Sequence, residues 1–142
     1  MDDLGKRLRD LVQRNVLRGE FTLSSGKKST FYIDGKITTL SAEGAWLVGL
    51  LMARSLATDD VKAIGGLTLG ADPIVASVAA MSFQEGRPIQ AFIVRKEPKS
   101  HGTSRWIEGP AIDRGTRVAL VDDVITTGAS VLKAAERVVE EC

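Results

Sequence analysis

The stretch Arg117–Ser130, RVALVDDVITTGAS, constrains the fold more than any other part of the chain. Four apolar residues, Val118 to Val121, run straight into two adjacent carboxylates, Asp122 and Asp123. Small and hydroxylated residues follow, Thr126, Thr127, Gly128, Ala129 and Ser130, just ahead of a helical pattern. An unbroken apolar run predicts a strand covered on both faces. In an open α/β sheet the turn at the carboxyl end of such a strand is where ligands bind. Small residues let the backbone approach an anion, and the first N–H groups of the next helix point at it. Two carboxylates accept hydrogen bonds from vicinal hydroxyls. An anion site beside two hydroxyl acceptors fits a ribose 5-phosphate. A bare Asp-Asp pair would be read as an ordinary strand, turn and cap; the whole pattern points further.

Composition narrows the classes. The chain has 142 residues, enough for one domain, and a net charge of +1. That charge leaves no footprint for nucleic acid or an anionic membrane. No apolar run approaches a membrane span, and the start MDDLGKRLRD lacks the pattern of a signal peptide. The one cysteine, Cys142, is the last residue, so no internal disulfide or cysteine-based metal site forms. Together these features fit a reducing, cytoplasmic setting.

In chain order, Leu4, Leu8, Leu11 and Val12 predict an amphipathic helix over 3–17, stopped by Gly19. Phe21–Leu23 and Thr30–Ile33, with SSGKK between them, predict a hairpin. Ser41 caps a helix to Leu56 whose apolar residues spread almost all round, as in a core helix. Val61–Ile64 is a strand, followed by GGLTLGADP and a helix over Ile74–Phe83. This second tight loop is neither a dinucleotide fingerprint nor a Walker A sequence. Asp72 either caps the helix or faces a metal. Ile89–Val94 is a third strand. Arg95–Gly109 reads as a long loop with four basic against two acidic side chains, a length uncommon unless functional or disordered. Ser130–Glu141 is a helix with Val131, Leu132, Ala135, Val138 and Val139 on its apolar side.

The Asp-Asp stretch resembles the phosphoribosyl-pyrophosphate (PRPP) motif of the type I phosphoribosyltransferases. Three other stretches narrow the resemblance to orotate phosphoribosyltransferase. F-x-L-x-S-G then S-x-x-Y-x-D, over Phe21–Asp34, is similar to that family's N-terminal signature. GGLTLGADP lies where the family has its pyrophosphate loop. R-K-E-x-K-x-H-G, from Arg95, looks like its catalytic loop and is the most family-specific match. The resemblance covers most of the chain up to the last helix.

The resemblance implies a type I phosphoribosyltransferase fold over 1–142: a parallel α/β sheet flanked by helices, hood elements over about 1–36 and a core over about 41–142. It implies Mg²⁺-dependent transfer of ribose 5-phosphate from PRPP to orotate, giving orotidine 5′-monophosphate and pyrophosphate in pyrimidine biosynthesis. It places PRPP on Arg95, Lys96, Lys99, His101, Asp122, Asp123, Val124, Ile125, Thr126, Thr127, Gly128, Ala129 and Ser130, and on the backbone at Leu69 and Gly70. Lys99, His101, Asp122 and Asp123 take the catalytic roles. Phe31, Tyr32, Ile33 and Thr126 fall near orotate. Mg²⁺ is carried mainly by PRPP, with Asp122 and Asp123 reaching it through water. A homodimer shares the 95–109 loop across its interface. Trp106 is a candidate anchor for the loop base. Some members carry a lysine where this chain has Ser24, so no role passes to that position, although Lys27 and Lys28 are close. Only three parallel strands are legible, and the family's next strand and its orotate-binding arginine have no counterpart, so the core is expected to be C-terminally incomplete. The rival readings are transfer to another base, a PRPP-binding regulator without catalysis, and an inactive fragment.

Overall fold

The alternation of side chains along three short strands sets the architecture. The computed structural model describes residues 3–23, 26–98 and 105–142. β3 (Ala63–Gly65) lies between β4 (Gln90–Ala91) and β7 (Val118–Leu120), parallel to both. Beyond Phe92 the path of β4 continues as β5 (Ile93–Val94), whose Val94 bridges Leu67 in parallel. Ile64, Ala91, Ile93, Ala119 and Val121 face one side of the sheet, where α3 (Ala42–Leu56) and α4 (Asp72–Gln84) cover them. Ala63, Phe92, Val94, Val118 and Leu120 face the other, against Ala134 and Val138 of α5 (Ala129–Glu141). Each face thus has its own core cluster. Burial of this apolar surface, at roughly 25 cal/mol per Å², is the main force holding the layers together.

The caps agree with the sequence only in part. Ser41 caps α3 by accepting from the Gly44 N–H at 3.1 Å. At α4 the N-cap is Ala71, with no side-chain cap bond. Asp72 is the first helical residue and accepts from the Thr68 hydroxyl at 2.7 Å, so it does not cap the helix. Its charge still lies in the first turn, where the helix dipole favours an anion.

Several expected boundaries move. α1 (Asp3–Arg14) stops short of Leu17, and Gly19 is no helix stop. Both fall in β1 (Val16–Thr22), which pairs antiparallel with β2 (Lys28–Ile33) from Val16 opposite Ile33. Cross-strand hydrogen bonds override the helical pattern there, and the register shifts between Arg18 and Phe21. The five-residue helix α2 (Gly35–Thr39) has no apolar period to announce it; the Asp34 side chain caps it by accepting from Lys36 N at 3.0 Å. The segment 95–109 is not all loop, because Ile107 and Glu108 form β6, antiparallel to β5. β7 is half-buried rather than fully buried because it lies at the edge of its sheet. On α5, Leu132 and Val139 are 65% and 80% exposed, contrary to their expected place on the apolar side. Ala134 and Val138, one turn apart, form the inward stripe instead.

Candidate active site

β3 and β7 run side by side and end together, so the loops that follow them meet. Gly70 is the contact point. A Cβ built there would collide with Asp122 Oδ1 and lie 2.6 Å from Asp123 Oδ1. Only glycine lets the backbone come so close to both carboxylates. Asp122 Oδ1 accepts the Asp123 N–H at 3.0 Å, which folds the pair into one compact unit. A third element closes the corner. Lys36 Nζ, 87 residues away in sequence, lies 2.8 Å from Asp123 Oδ2 and 3.3 Å from Asp34 Oδ1.

The two carboxylates are electrostatically unequal. Burial pulls Asp123 upward, but the Lys36 hydrogen bond and charge outweigh it and hold the group below its ordinary value. Burial raises Asp122, reinforced by its neighbour's negative charge and opposed by the Asp123 N–H. Lys36 is raised, chiefly by its hydrogen bond to Asp123. The pair therefore has one carboxylate held ionised and one that gives up its proton less readily.

Past the carboxylates, Val124 to Val131 wrap a small cleft that includes Asp122. Gly128 adopts φ 79° and ψ 0°, a left-handed turn that suits glycine and opens α5. α5 begins with no side-chain cap on its N-cap residue. Thr127 Oγ1 accepts from Ala129 N at 3.4 Å. Thr126, Thr127, Ala129 and Ser130 are exposed, so the hydroxyls and the helix N-terminus face solvent where an anion would settle.

The other loop starts beside the same corner. Thr68, Asp72, Arg95 and Lys96 share a cleft of about 430 Å³. Leu69 is 68% exposed, and the Thr68–Leu69 peptide is cis. Arg95 is already engaged: its guanidinium lies 3.2 Å from Glu108 Oε1 and also donates to Glu97 O. Lys99 and His101 lie outside the described residues, as does Ser24. Phe31 and Tyr32 are half-exposed on β2 and, as neighbours in a strand, point to opposite faces. Tyr32 packs against Phe21 with ring centroids 5.6 Å apart. The strand therefore does not gather Phe31, Tyr32 and Ile33 on one face.

Trp106 does anchor the base of the 95–109 segment. Its backbone carbonyl accepts from Arg95 N at 2.8 Å, and its backbone N–H donates to Glu141 Oε1 at 2.6 Å. Arg137 stacks over its ring at 3.9 Å. Sequence reading missed Lys36, Arg137 and Glu141. Their partners lie 87, 31 and 35 residues away, and a lysine after Asp-Gly carries no local signal.

Among the described residues no group of three or more His, Cys, Asp or Glu is placed to hold a metal. Asp122 and Asp123 form a pair, short of a cage. That donor set fits an ion such as Mg²⁺ that arrives on substrate phosphates and keeps much of its water. No helix among the described residues is long and apolar enough to cross a membrane.

No protein-family model matches the chain. It is 53% identical over 119 residues to the orotate phosphoribosyltransferase of Synechocystis sp., covering 84% of this chain and 60% of that protein. It is 52% identical over 139 residues to the orotate phosphoribosyltransferase of Thermosynechococcus vestitus, covering 97% of this chain and 73% of the relative. The chain thus spans between three-fifths and three-quarters of the length of these relatives. A crystal structure of Mycobacterium tuberculosis orotate phosphoribosyltransferase in complex with PRPP superposes with a TM-score of 0.76 at 38% identity, over 95% of this chain and 74% of that one. With the sheet, the flanking helices and the hairpin in place, and with relatives this similar over nearly the whole chain, the chain belongs to the orotate phosphoribosyltransferase family.

Proposed function

We propose that the chain transfers ribose 5-phosphate from PRPP to orotate, giving orotidine 5′-monophosphate and pyrophosphate for pyrimidine biosynthesis in the cytoplasm. The observation that carries this reading is the closure of Gly70 onto Asp122 and Asp123 beside an open helix N-terminus. Diol acceptors and an anion cradle then stand on one side, and a cleft lined by Arg95 and Lys96 on the other.

In this scheme Thr126 to Ser130 hold the 5-phosphate with backbone N–H groups and hydroxyls. Asp122 and Asp123 accept the two ribose hydroxyls. Attack by the orotate ring nitrogen at the ribose C1 builds positive charge on the sugar and negative charge on the departing pyrophosphate. Lys96 and Lys99 stabilise the pyrophosphate electrostatically, with Arg95 if it exchanges Glu108 for the ligand. His101 donates a hydrogen bond or proton to it. The backbone at Leu69 and Gly70, where Gly70 closes on the two carboxylates, is a further contact for PRPP. Mg²⁺ bound to PRPP would neutralise phosphate charge, with Asp122 and Asp123 reaching its water shell. Phe31 and Ile33, which share one face of β2, and Thr126 are the residues for the base, and Tyr32, on the opposite face, reaches it only if the hairpin turns. The chain acts as a homodimer in which residues 95–109 enter the partner's site and exclude water there.

The test is loss of orotate absorbance with the chain, PRPP and Mg²⁺, beside a uracil control. Loss with orotate alone is expected. No loss, or equal use of uracil, would overturn the reading. Mixing Lys99→Ala with Asp123→Asn chains addresses the shared loop: recovered activity is expected, and none from demonstrated heterodimers would place each site within one chain.

A further inference from the structure

α2, which follows the hairpin, touches the carboxylate pair through Lys36, and this joint does more than pack two elements. Asp34 accepts from the backbone N–H of Lys36, which fixes the first turn of α2 and the root of the lysine side chain. The ammonium then spans Asp34 Oδ1 and Asp123 Oδ2. Gly35 presses on the same aspartate: a Cβ there would lie 2.8 Å from Asp123 Cβ and 3.0 Å from its carbonyl oxygen. Asp123 is thus walled by α2, tied through Oδ2, and turned so that Oδ1 lies against Gly70 at the open corner. Its side chain is 9% exposed, so it has little room to adopt another rotamer. Lys36 is 42% exposed and is itself anchored at both carboxylates.

We infer that Lys36 is a positioning residue for sugar recognition: it occupies one oxygen of Asp123 and presents the other to a ribose hydroxyl. This rests on the ribose 5-phosphate reading above and adds the residue that makes the site select a vicinal-diol sugar phosphate over bare phosphate. Lys36 acts through Asp123 and makes no contact with the ligand. The phosphate cradle at 126–130 is built from other residues, so its affinity for phosphate does not depend on Lys36.

The experiment is calorimetric titration of the full chain with ribose 5-phosphate and, separately, inorganic phosphate. It compares the native chain with Lys36→Met and Lys36→Arg; Lys36→Gln replaces the methionine variant if that one does not fold. The native chain is expected to favour ribose 5-phosphate over phosphate. Lys36→Met should let Asp123 turn away and so cost the sugar one charge-assisted hydrogen bond to that carboxylate, weakening ribose 5-phosphate about tenfold while leaving phosphate within about twofold. Lys36→Arg should recover most of the sugar affinity. Unchanged ribose 5-phosphate binding in Lys36→Met would overturn the inference. Equal loss of both ligands would also overturn it, since that marks a general structural role. A native chain with no preference for the sugar phosphate would sink the underlying ribose reading instead, and the native titration alone reveals that.

Discussion

Replacing Gly70 with alanine probes the point where the two loops meet. The added Cβ would lie 2.6 Å from Asp123 Oδ1 and would overlap Asp122 Oδ1, with the Asp122 carboxyl carbon at 3.3 Å. Real Cβ atoms do not approach so closely, so the loop or both carboxylates must shift. Asp123 is nearly buried and tied to Lys36, which leaves Asp122 and the loop to absorb most of the movement. Overpacking of this kind costs about 1–3 kcal/mol. If the strain is relieved at the carboxylates, it reappears as lost ligand affinity, about tenfold for each 1.4 kcal/mol. Gly70→Ala is therefore expected to bind ribose 5-phosphate about tenfold to a hundredfold more weakly, to keep the far-ultraviolet circular dichroism of the parent, and to melt a few degrees lower. Calorimetric titration with thermal unfolding reads all three. Native-like affinity in a folded Gly70→Ala chain would show that the carboxylates hold the sugar without the close approach, or do not hold it at all.

Two further outcomes follow from the same contacts. Trp106→Ala removes the stack under Arg137 but keeps the backbone bond to Glu141; a loss of about 0.5–2 kcal/mol is expected in urea unfolding, and an unchanged midpoint would mean that the stack anchors nothing. Stability against pH tests the charge balance at the corner. Asp123 is held low in the folded chain, so its contribution is full above the ordinary carboxylate value and fades as pH falls through the lowered one. Lys36→Met removes that pull and leaves burial to raise the group, which reverses the sign. The stability gap between the native chain and Lys36→Met should therefore narrow from about pH 6 to about pH 3 in urea titrations, and a constant or widening gap would contradict the pairing.

The parts of the fold that were legible in the sequence are those written in local pattern. Val118–Val121 before Asp-Asp gave a strand and the turn after it, Ser41 gave the start of α3, and the glycines after Ile64 gave the second loop. What failed was decided by distant partners. Leu17 left its helical pattern for pairing with Tyr32. Leu132 and Val139 fit an apolar face, but the sheet meets α5 along Ala134 and Val138, about a third of a turn away from each. Ile107 and Glu108 became a strand only because β5 offered an edge. At the site, Asp122, Asp123 and the glycine loop were visible as motifs, and their contact is a consequence of adjacent parallel strands. Lys36 was invisible because its role depends on a carboxylate in another element.

The most direct test of the account is calorimetric titration of the chain with PRPP in the presence of Mg²⁺, set beside a variant carrying Asp122→Asn and Asp123→Asn together. Saturable binding at one site per chain is expected, weakened about a hundredfold in the double variant while its helical dichroism is kept, as two charge-assisted hydrogen bonds at about 1.5 kcal/mol each imply. Equal affinity in the two chains, or no binding by the native one, would contradict the claim that the two loops form a PRPP site.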